Sequence, residues 1–138
     1  MEILNVTNLR KTYYTNQEEI KAIENVSFSL NDGEFLSIIG PSGCGKSTIL
    51  SILSKLEEKT DGNFDLKDNY KVGYMLQSDC LLEFKTIFDN CLVGLELQKK
   101  KNLTNIKYVE KLLRDYGLDE FKNSYPQNLS GGMRQRVV

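Results

Sequence analysis

Histidine is missing from all 138 residues. A histidine general acid or base, a Ser-His or Cys-His nucleophile pair and a histidine-ligated metal are therefore excluded for this chain. Cysteine is scarce: Cys44, Cys80 and Cys91 are odd in number and lack C-x-x-C spacing. That pattern supports neither a complete disulfide framework nor a zinc site, and it fits a reducing cytosol. No apolar run approaches the roughly 20 residues that span a bilayer, and Met1–Asn5 lacks a basic, then apolar, leader pattern. The chain reads as neither secreted nor membrane-inserted. A charge excess is absent as well, with 18 Lys plus Arg against 19 Asp plus Glu and a net charge of −1. No basic field exists to draw a phosphate backbone, so nucleic acid is not an expected partner.

What remains is an ordinary globular composition, 40% hydrophobic and 27% charged, with 2 Pro and 10 Gly. The length predicts one domain. Alternating apolar residues in Ile3–Val6 and Ala22–Leu30 predict strands, and Tyr13–Gln17 reads as a polar connection between them. Asn31-Asp32-Gly33 predicts a tight turn. Glu34–Ile39 is β-prone and apolar, suited to a strand buried on both faces. From Lys46 the period changes: Ile49, Leu50, Leu53 and Leu56 predict a helix that stops near Thr60-Asp61-Gly62. Phe64 and Leu66 suggest a short strand, Asp68-Asn69 a turn, and Val72–Leu76 another strand.

The second half reads as helical. Thr86-Ile87-Phe88-Asp89 matches a capping box with Asp in the usual Glu position, followed by a stripe of Ile87, Phe88, Cys91, Leu92 and Leu95. Ile106, Val109, Leu112, Leu113 and Tyr116 keep helical spacing up to Gly117, a natural C-terminal cap. Lys99-Lys100-Lys101 reads as a solvated loop or helix end.

The chemistry begins where strand, glycine-rich turn and helix are consecutive. Gly40-Pro41-Ser42-Gly43-Cys44-Gly45-Lys46-Ser47 satisfies G-x-x-x-x-G-K-[ST] in the context that gives the motif meaning. Glycines free the backbone to wrap phosphates and aim N–H groups inward, and the helix end adds partial positive charge. Lys46 is expected on the β- and γ-phosphates, the Ser47 hydroxyl on Mg²⁺, and Thr48 at the α/β-phosphate end. Cys44 is read as a small filler of the loop. A second helix end of the same kind is predicted at Leu129–Arg136, where Ser130 is an N-cap and Gly131-Gly132 allow another surface to approach exposed N–H groups.

With these blocks in order, the chain resembles the ATP-binding cassette family, the nucleotide-binding subunits of ABC transporters, over essentially its full length. Leu9–Tyr13 is similar to the A-loop, whose aromatic, here Tyr13 with Tyr14 as the adjacent alternative, stacks on adenine. Gln77 is similar to the Q-loop glutamine that meets Mg²⁺ and the attacking water. Leu129–Gln135 resembles the signature, with Met133 where many members carry Gln. The resemblance implies an α/β P-loop NTPase with a RecA-like core, an N-terminal antiparallel β part and a helical subdomain. It divides the chain into a β-rich part with the P-loop (residues 1–77) and a helical part ending in the signature helix (residues 78–138). It implies ATP and Mg²⁺ as ligands, with Lys46 and Gln77 as catalytic residues. It also implies a head-to-tail dimer in which Ser130, Gly131, Gly132 and Met133 meet the partner's ATP.

Gly73–Gln77 followed by Leu81–Ile87 and Asp89-Asn90 looks most like the nitrate/sulfonate/taurine importer branch. On that resemblance Ser78–Leu97 receives a transmembrane permease, with Leu82 and Phe84 as contact groups, and a substrate-binding protein takes part indirectly. The subunit would lie on the cytoplasmic face of the membrane and drive import of a small oxyanion, sulfonate or related nutrient. Members continue into an acidic strand with a magnesium-binding Asp and a catalytic Glu, then a switch histidine; none is matched here. The expectation is a fragment of a longer subunit that binds nucleotide without turning it over. A cassette acting on DNA or ribosomes, or a P-loop kinase, accounts for fewer of these motifs.

Overall fold

The computed structural model describes residues 1–16 and 18–138. Gln17, the last residue of the expected polar connection, lies outside the described residues. The chain divides into two compact units, Met1–Tyr74 and Met75–Val138.

The first unit is built on a three-stranded antiparallel sheet in the order β2-β1-β3, from β1 (Glu2–Tyr14), β2 (Glu19–Asn31) and β3 (Asp61–Leu66). Val6 sits opposite both Phe28 and Phe64, so the apolar face is continuous across all three strands. The register slips at several points, and the slip between Val6 and Leu9 is centred on Asn8. Asn8 adopts φ +49° and its N–H donates to the Ser27 hydroxyl at 2.8 Å, a bulge that brings Val6 and Leu9, three residues apart, onto the same face. Gly62 packs against this bulge, where an added Cβ would meet the Asn8 carbonyl oxygen at 2.2 Å. β1 extends further than the sequence suggests, so Tyr13 and Tyr14 are strand residues rather than part of the connection. Helix α1 (Lys46–Leu53) lays Ile49 and Ile52 on Val6, Leu9 and Ile23. Burial of such side chains is worth about 1.5–3 kcal/mol each.

Three expectations fail here. Helix α1 ends at Leu53, well before Thr60, because Lys55 takes φ +60° and closes the helix. Its N–H donates to the Ile52 carbonyl, and that of Leu56 to the Ser51 carbonyl. This is the pattern of a Schellman cap, made without glycine. Glu34–Ile39 and Val72–Leu76 do not form strands. A strand exists only by virtue of a ladder partner, and neither run has one among the described residues. Phe35 and Ile39 are accordingly 92% exposed rather than buried on both faces.

The second unit is helical: α2 (Ile87–Leu97), α3 (Leu103–Asp115) and α4 (Gly131–Val137), with 3-10 turns at Asp119–Phe121 and Pro126–Asn128. Ile87, Leu92, Val109, Leu113, Leu118 and Leu129 form its core. The Thr86 cap forms as expected, its hydroxyl accepting from the Asp89 N–H at 3.1 Å and donating to the Asp89 carboxylate at 2.7 Å. Asn102 caps α3 in the same way through the Asn105 N–H. Gly117, at φ +68°, ends α3 and turns Leu118 into the core. No helix among the described residues is long and apolar enough to cross a membrane.

Candidate nucleotide-binding site

The loop from Gly40 to Gly45 enters α1 through two left-handed glycines, Gly43 at φ +83° and Gly45 at φ +92°. The second is obligatory on two counts. L-residues avoid that φ, and a Cβ on Gly45 would lie 2.3 Å from the Ala22 carbonyl oxygen of β2. Close packing of the loop on the sheet thus sets where α1 begins. The Gly45 carbonyl accepts the first helical bond, from the Ile49 N–H at 3.0 Å, while no side chain caps the helix. Helices α2, α3 and α4 each have a Thr, Asn or Ser side chain closing that end. The N–H groups of Lys46, Ser47 and Thr48 are left for another acceptor, and the first turn carries no acidic residue to compete with an anion.

Lys46 folds back over the loop. Its ammonium donates to the carbonyls of Gly40 at 2.8 Å and Pro41 at 2.6 Å, and lies 3.5 Å from Cys44 Sγ. Neutral carbonyls are weaker partners for a cation than phosphate oxygens, so this arrangement gives way to an anion at little cost. Ser42, Cys44 and Ser47 are exposed and Thr48 is half-buried. Tyr13 belongs to the same unit, at the far end of β1. Tyr13 is 36% exposed, with the Lys11 ammonium 4.7 Å from its ring centroid, whereas Tyr14 is 69% exposed.

Gln77 and Ser130–Met133 belong to the second unit. Gln77 is exposed at a bend. Ser130 caps α4, its hydroxyl accepting from the Met133 N–H at 3.4 Å. Gly131 and Gly132 are exposed, and a Cβ on either would meet nothing within 4 Å. Packing within the unit therefore does not demand them. Met133 turns into the unit's core. Of the two apolar groups expected outside, Phe84 is 76% exposed, whereas Leu82 is half-buried. The Asn90 side chain fixes that loop, accepting from the Leu82 N–H and donating to the carbonyls of Leu82, Lys85 and Thr86.

Two elements escaped the sequence reading. One is Lys11, buried beside Tyr13; the alternation Leu9, Lys11, Tyr13 on one strand face was the available signal. The other is the ion pair of Arg134 with Asp79 and Glu83, which brings together residues 55 and 51 apart in sequence and leaves no local trace.

Residues 23–138 match the family described as ABC transporter. The chain is 37% identical over 144 residues to YtlC, an uncharacterized ABC transporter ATP-binding protein of Bacillus subtilis (strain 168), a match covering 100% of this chain and 55% of YtlC. It is 33% identical over 141 residues to SsuB, an aliphatic sulfonates import ATP-binding protein of Bacillus anthracis, covering 98% of this chain and 55% of SsuB. Among solved structures it resembles the ATP-binding cassette MJ0796, determined as a dimer in a post-hydrolysis state bound to ADP and Pi. There the TM-score is 0.83 at 32% identity, over 98% of this chain and 66% of that one. The chain spans about half the length of the curated relatives it matches. The chain belongs to the ABC transporter family, and its fold is that of the family's ATP-binding cassette.

Proposed function

We propose that the chain binds MgATP and acts as the ATP-binding part of an importer, in which two such subunits close on nucleotide and drive a membrane permease. The observation that carries this reading is the bare amino terminus of α1. It lies behind two left-handed glycines, with Lys46 resting on carbonyls of the same loop. The amides from Gly40 to Thr48, with Pro41 shaping the turn, hold the phosphates. Lys46 bridges the β- and γ-phosphates, and Tyr13 stacks on the base. The donor set suits Mg²⁺ held chiefly by phosphate oxygens and water. Ser47 would contribute one hydroxyl, while no group of three or more Cys, Asp or Glu is gathered among the described residues to cage a metal alone.

Ser130, Gly131 and Gly132 meet the nucleotide of the second subunit. Their uncrowded backbone supports a close approach from outside, and MJ0796 is itself dimeric. Exposed Phe84 supports a permease contact within Ser78–Leu97. The likeness to SsuB supports a sulfonate or related oxyanion as cargo, delivered to the permease by a binding protein, with this subunit on the cytoplasmic face. The 138-residue chain by itself we read as binding without turnover, since it has no histidine and nothing in it answers the family's acidic strand.

Calorimetric titration tests the reading. Lys46→Ala should weaken MgATP binding by about tenfold or more, as expected for loss of a charge-assisted phosphate contact; equal affinity rejects it. Ser130→Arg should abolish ATP-dependent dimerisation and leave monomer affinity intact. Steady phosphate release from the pure chain would overturn the claim of binding without turnover.

A further inference from the structure

We infer that Lys11 is a positioning residue for nucleotide base recognition: it occupies one face of the Tyr13 ring, so that a base stacks on the opposite face only. This rests on the reading of Tyr13 as the base-stacking residue. Lys11 is the buried charged side chain among the described residues, 9% exposed. Its ammonium is held at 2.6 Å by a Glu57 carboxylate oxygen and at 2.6 Å by the Glu58 carbonyl, with the Tyr13 ring centroid 4.7 Å away. A buried ion pair is weak evidence for a contribution to stability, since an apolar residue of the same volume often serves as well. A cation against a ring face, in contrast, fixes that ring and blocks that face.

The geometry links this ring to the phosphate loop. Lys11 lies opposite Ile23 in the β1–β2 ladder. Ala22 and Ile23 are the residues against which Gly45 packs. Glu57 and Glu58 follow α1, the helix that the loop opens, and the same segment is tied to β1 by the Thr60 N–H to the Arg10 carbonyl at 2.9 Å. Lys11 therefore ties the strand bearing Tyr13 to the segment that follows α1, while its ladder partner Ile23 lies against the loop that opens α1. Alternation places Leu9, Lys11 and Tyr13 on one face, which brings the ammonium to the ring.

The test compares MgATP with Mg-tripolyphosphate, which lacks a base, by calorimetric titration of the 138-residue chain. Lys11→Met keeps the apolar stem and should weaken ATP about tenfold, within the range of a desolvated cation–π contact, while leaving tripolyphosphate unchanged. Lys11→Arg should restore most of the loss. Tyr13→Leu should show the same selective loss, and the double variant should be no worse than Tyr13→Leu. Should Lys11→Met fail to fold, Glu57→Gln, which removes the counter-ion, should give a smaller loss with the same selectivity. Equal weakening of ATP and tripolyphosphate, or a full additional loss in the Tyr13→Leu background, overturns the inference. If Lys46→Ala leaves ATP binding unchanged, the ATP reading itself fails, and that result is independent of Lys11.

Discussion

Arg134 grips Asp79 side-on: Nε donates to Oδ2 at 2.6 Å and Nη2 to Oδ1 at 3.0 Å, and Nη2 also reaches Glu83 Oε1 at 2.6 Å. Arg134 lies on the helix that Ser130 caps, and Asp79 lies two residues beyond Gln77. The helix with the glycine pair is thus stapled to the segment from which Phe84 protrudes. Only a planar guanidinium makes this bidentate contact, so Arg134→Lys is not conservative here and should lower the melting temperature. The pH dependence has a definite sign. The guanidinium, then the Leu81 N–H, hold the Asp79 carboxyl below the usual carboxylate range. A carboxylate depressed on folding stabilises the native state above its unfolded value, near pH ~4, and the contribution is lost as pH falls through the folded value. Melting temperature should therefore fall more steeply below that pH in the wild type than in Asp79→Asn. Parallel curves in a thermal-melt series would contradict this role.

The phosphate loop makes a contrast between its own glycines. Gly43→Ala meets open space and carries only the cost of a left-handed L-residue, about 1–2 kcal/mol. Gly45→Ala adds a clash with the Ala22 backbone, which cannot swing aside as a flexible side chain would. Gly45→Ala should therefore lower the melting temperature further than Gly43→Ala, and displace the α1 amino terminus enough to lose MgATP binding. Similar effects of the two changes on urea denaturation would show that loop-to-sheet packing does not set the start of α1.

How legible the chain was depends on the range of the interactions. The phosphate loop, the Thr86 box and the Gly117 stop were readable because each is settled within about four residues. The sheet was readable where strands alternate, in β1 and β2, whose partners lie within the described chain. Glu34–Ile39 and Val72–Leu76 were misread because a ladder partner, which no local pattern supplies, decides whether an apolar run is a strand. The early end of α1 was missed because Lys55 gives no sign of adopting φ +60°; glycine would have. The Arg134 cluster and the Lys11–Glu57 pair were invisible for the same reason as the strands, since both close across long stretches of chain.

The caps made by lysine offer a test of that last point. Lys55 at φ +60° and Lys99 at φ +55° occupy the position that Gly117 fills at the end of α3, with the same pair of backbone bonds. Each bears the steric cost of a left-handed β-carbon, offset in part by the smaller entropy an L-residue loses on folding. Lys55→Gly and Lys99→Gly should each stabilise the chain by about 0.5–1 kcal/mol, while Gly117→Ala should destabilise it by a similar amount. Midpoints of urea denaturation measure all three, and a loss of stability in both lysine variants would refute the assignment of these caps.

The three native thiols allow the nucleotide site to be followed by alkylation without introducing a new cysteine. Cys44 lies in the phosphate loop and is exposed, Cys80 is exposed in the second unit, and Cys91 is half-buried, its Sγ 3.9 Å from the Val137 carbonyl. Burial pushes the Cys91 thiol up, which starves it of the thiolate that reacts. Iodoacetamide should therefore label Cys44 and Cys80 quickly and Cys91 slowly. MgATP bound across the loop amides should cover Cys44 and slow its labelling roughly tenfold or more, leaving Cys80 unchanged, because access governs attack once the thiolate is available. In Lys46→Ala the protection should disappear at the same nucleotide concentration. Peptide-resolved mass spectrometry separates the three sites. Protection of Cys80 together with Cys44 would point to a general tightening of the chain, whereas protection of Cys44 alone locates the phosphates over Gly40–Gly45.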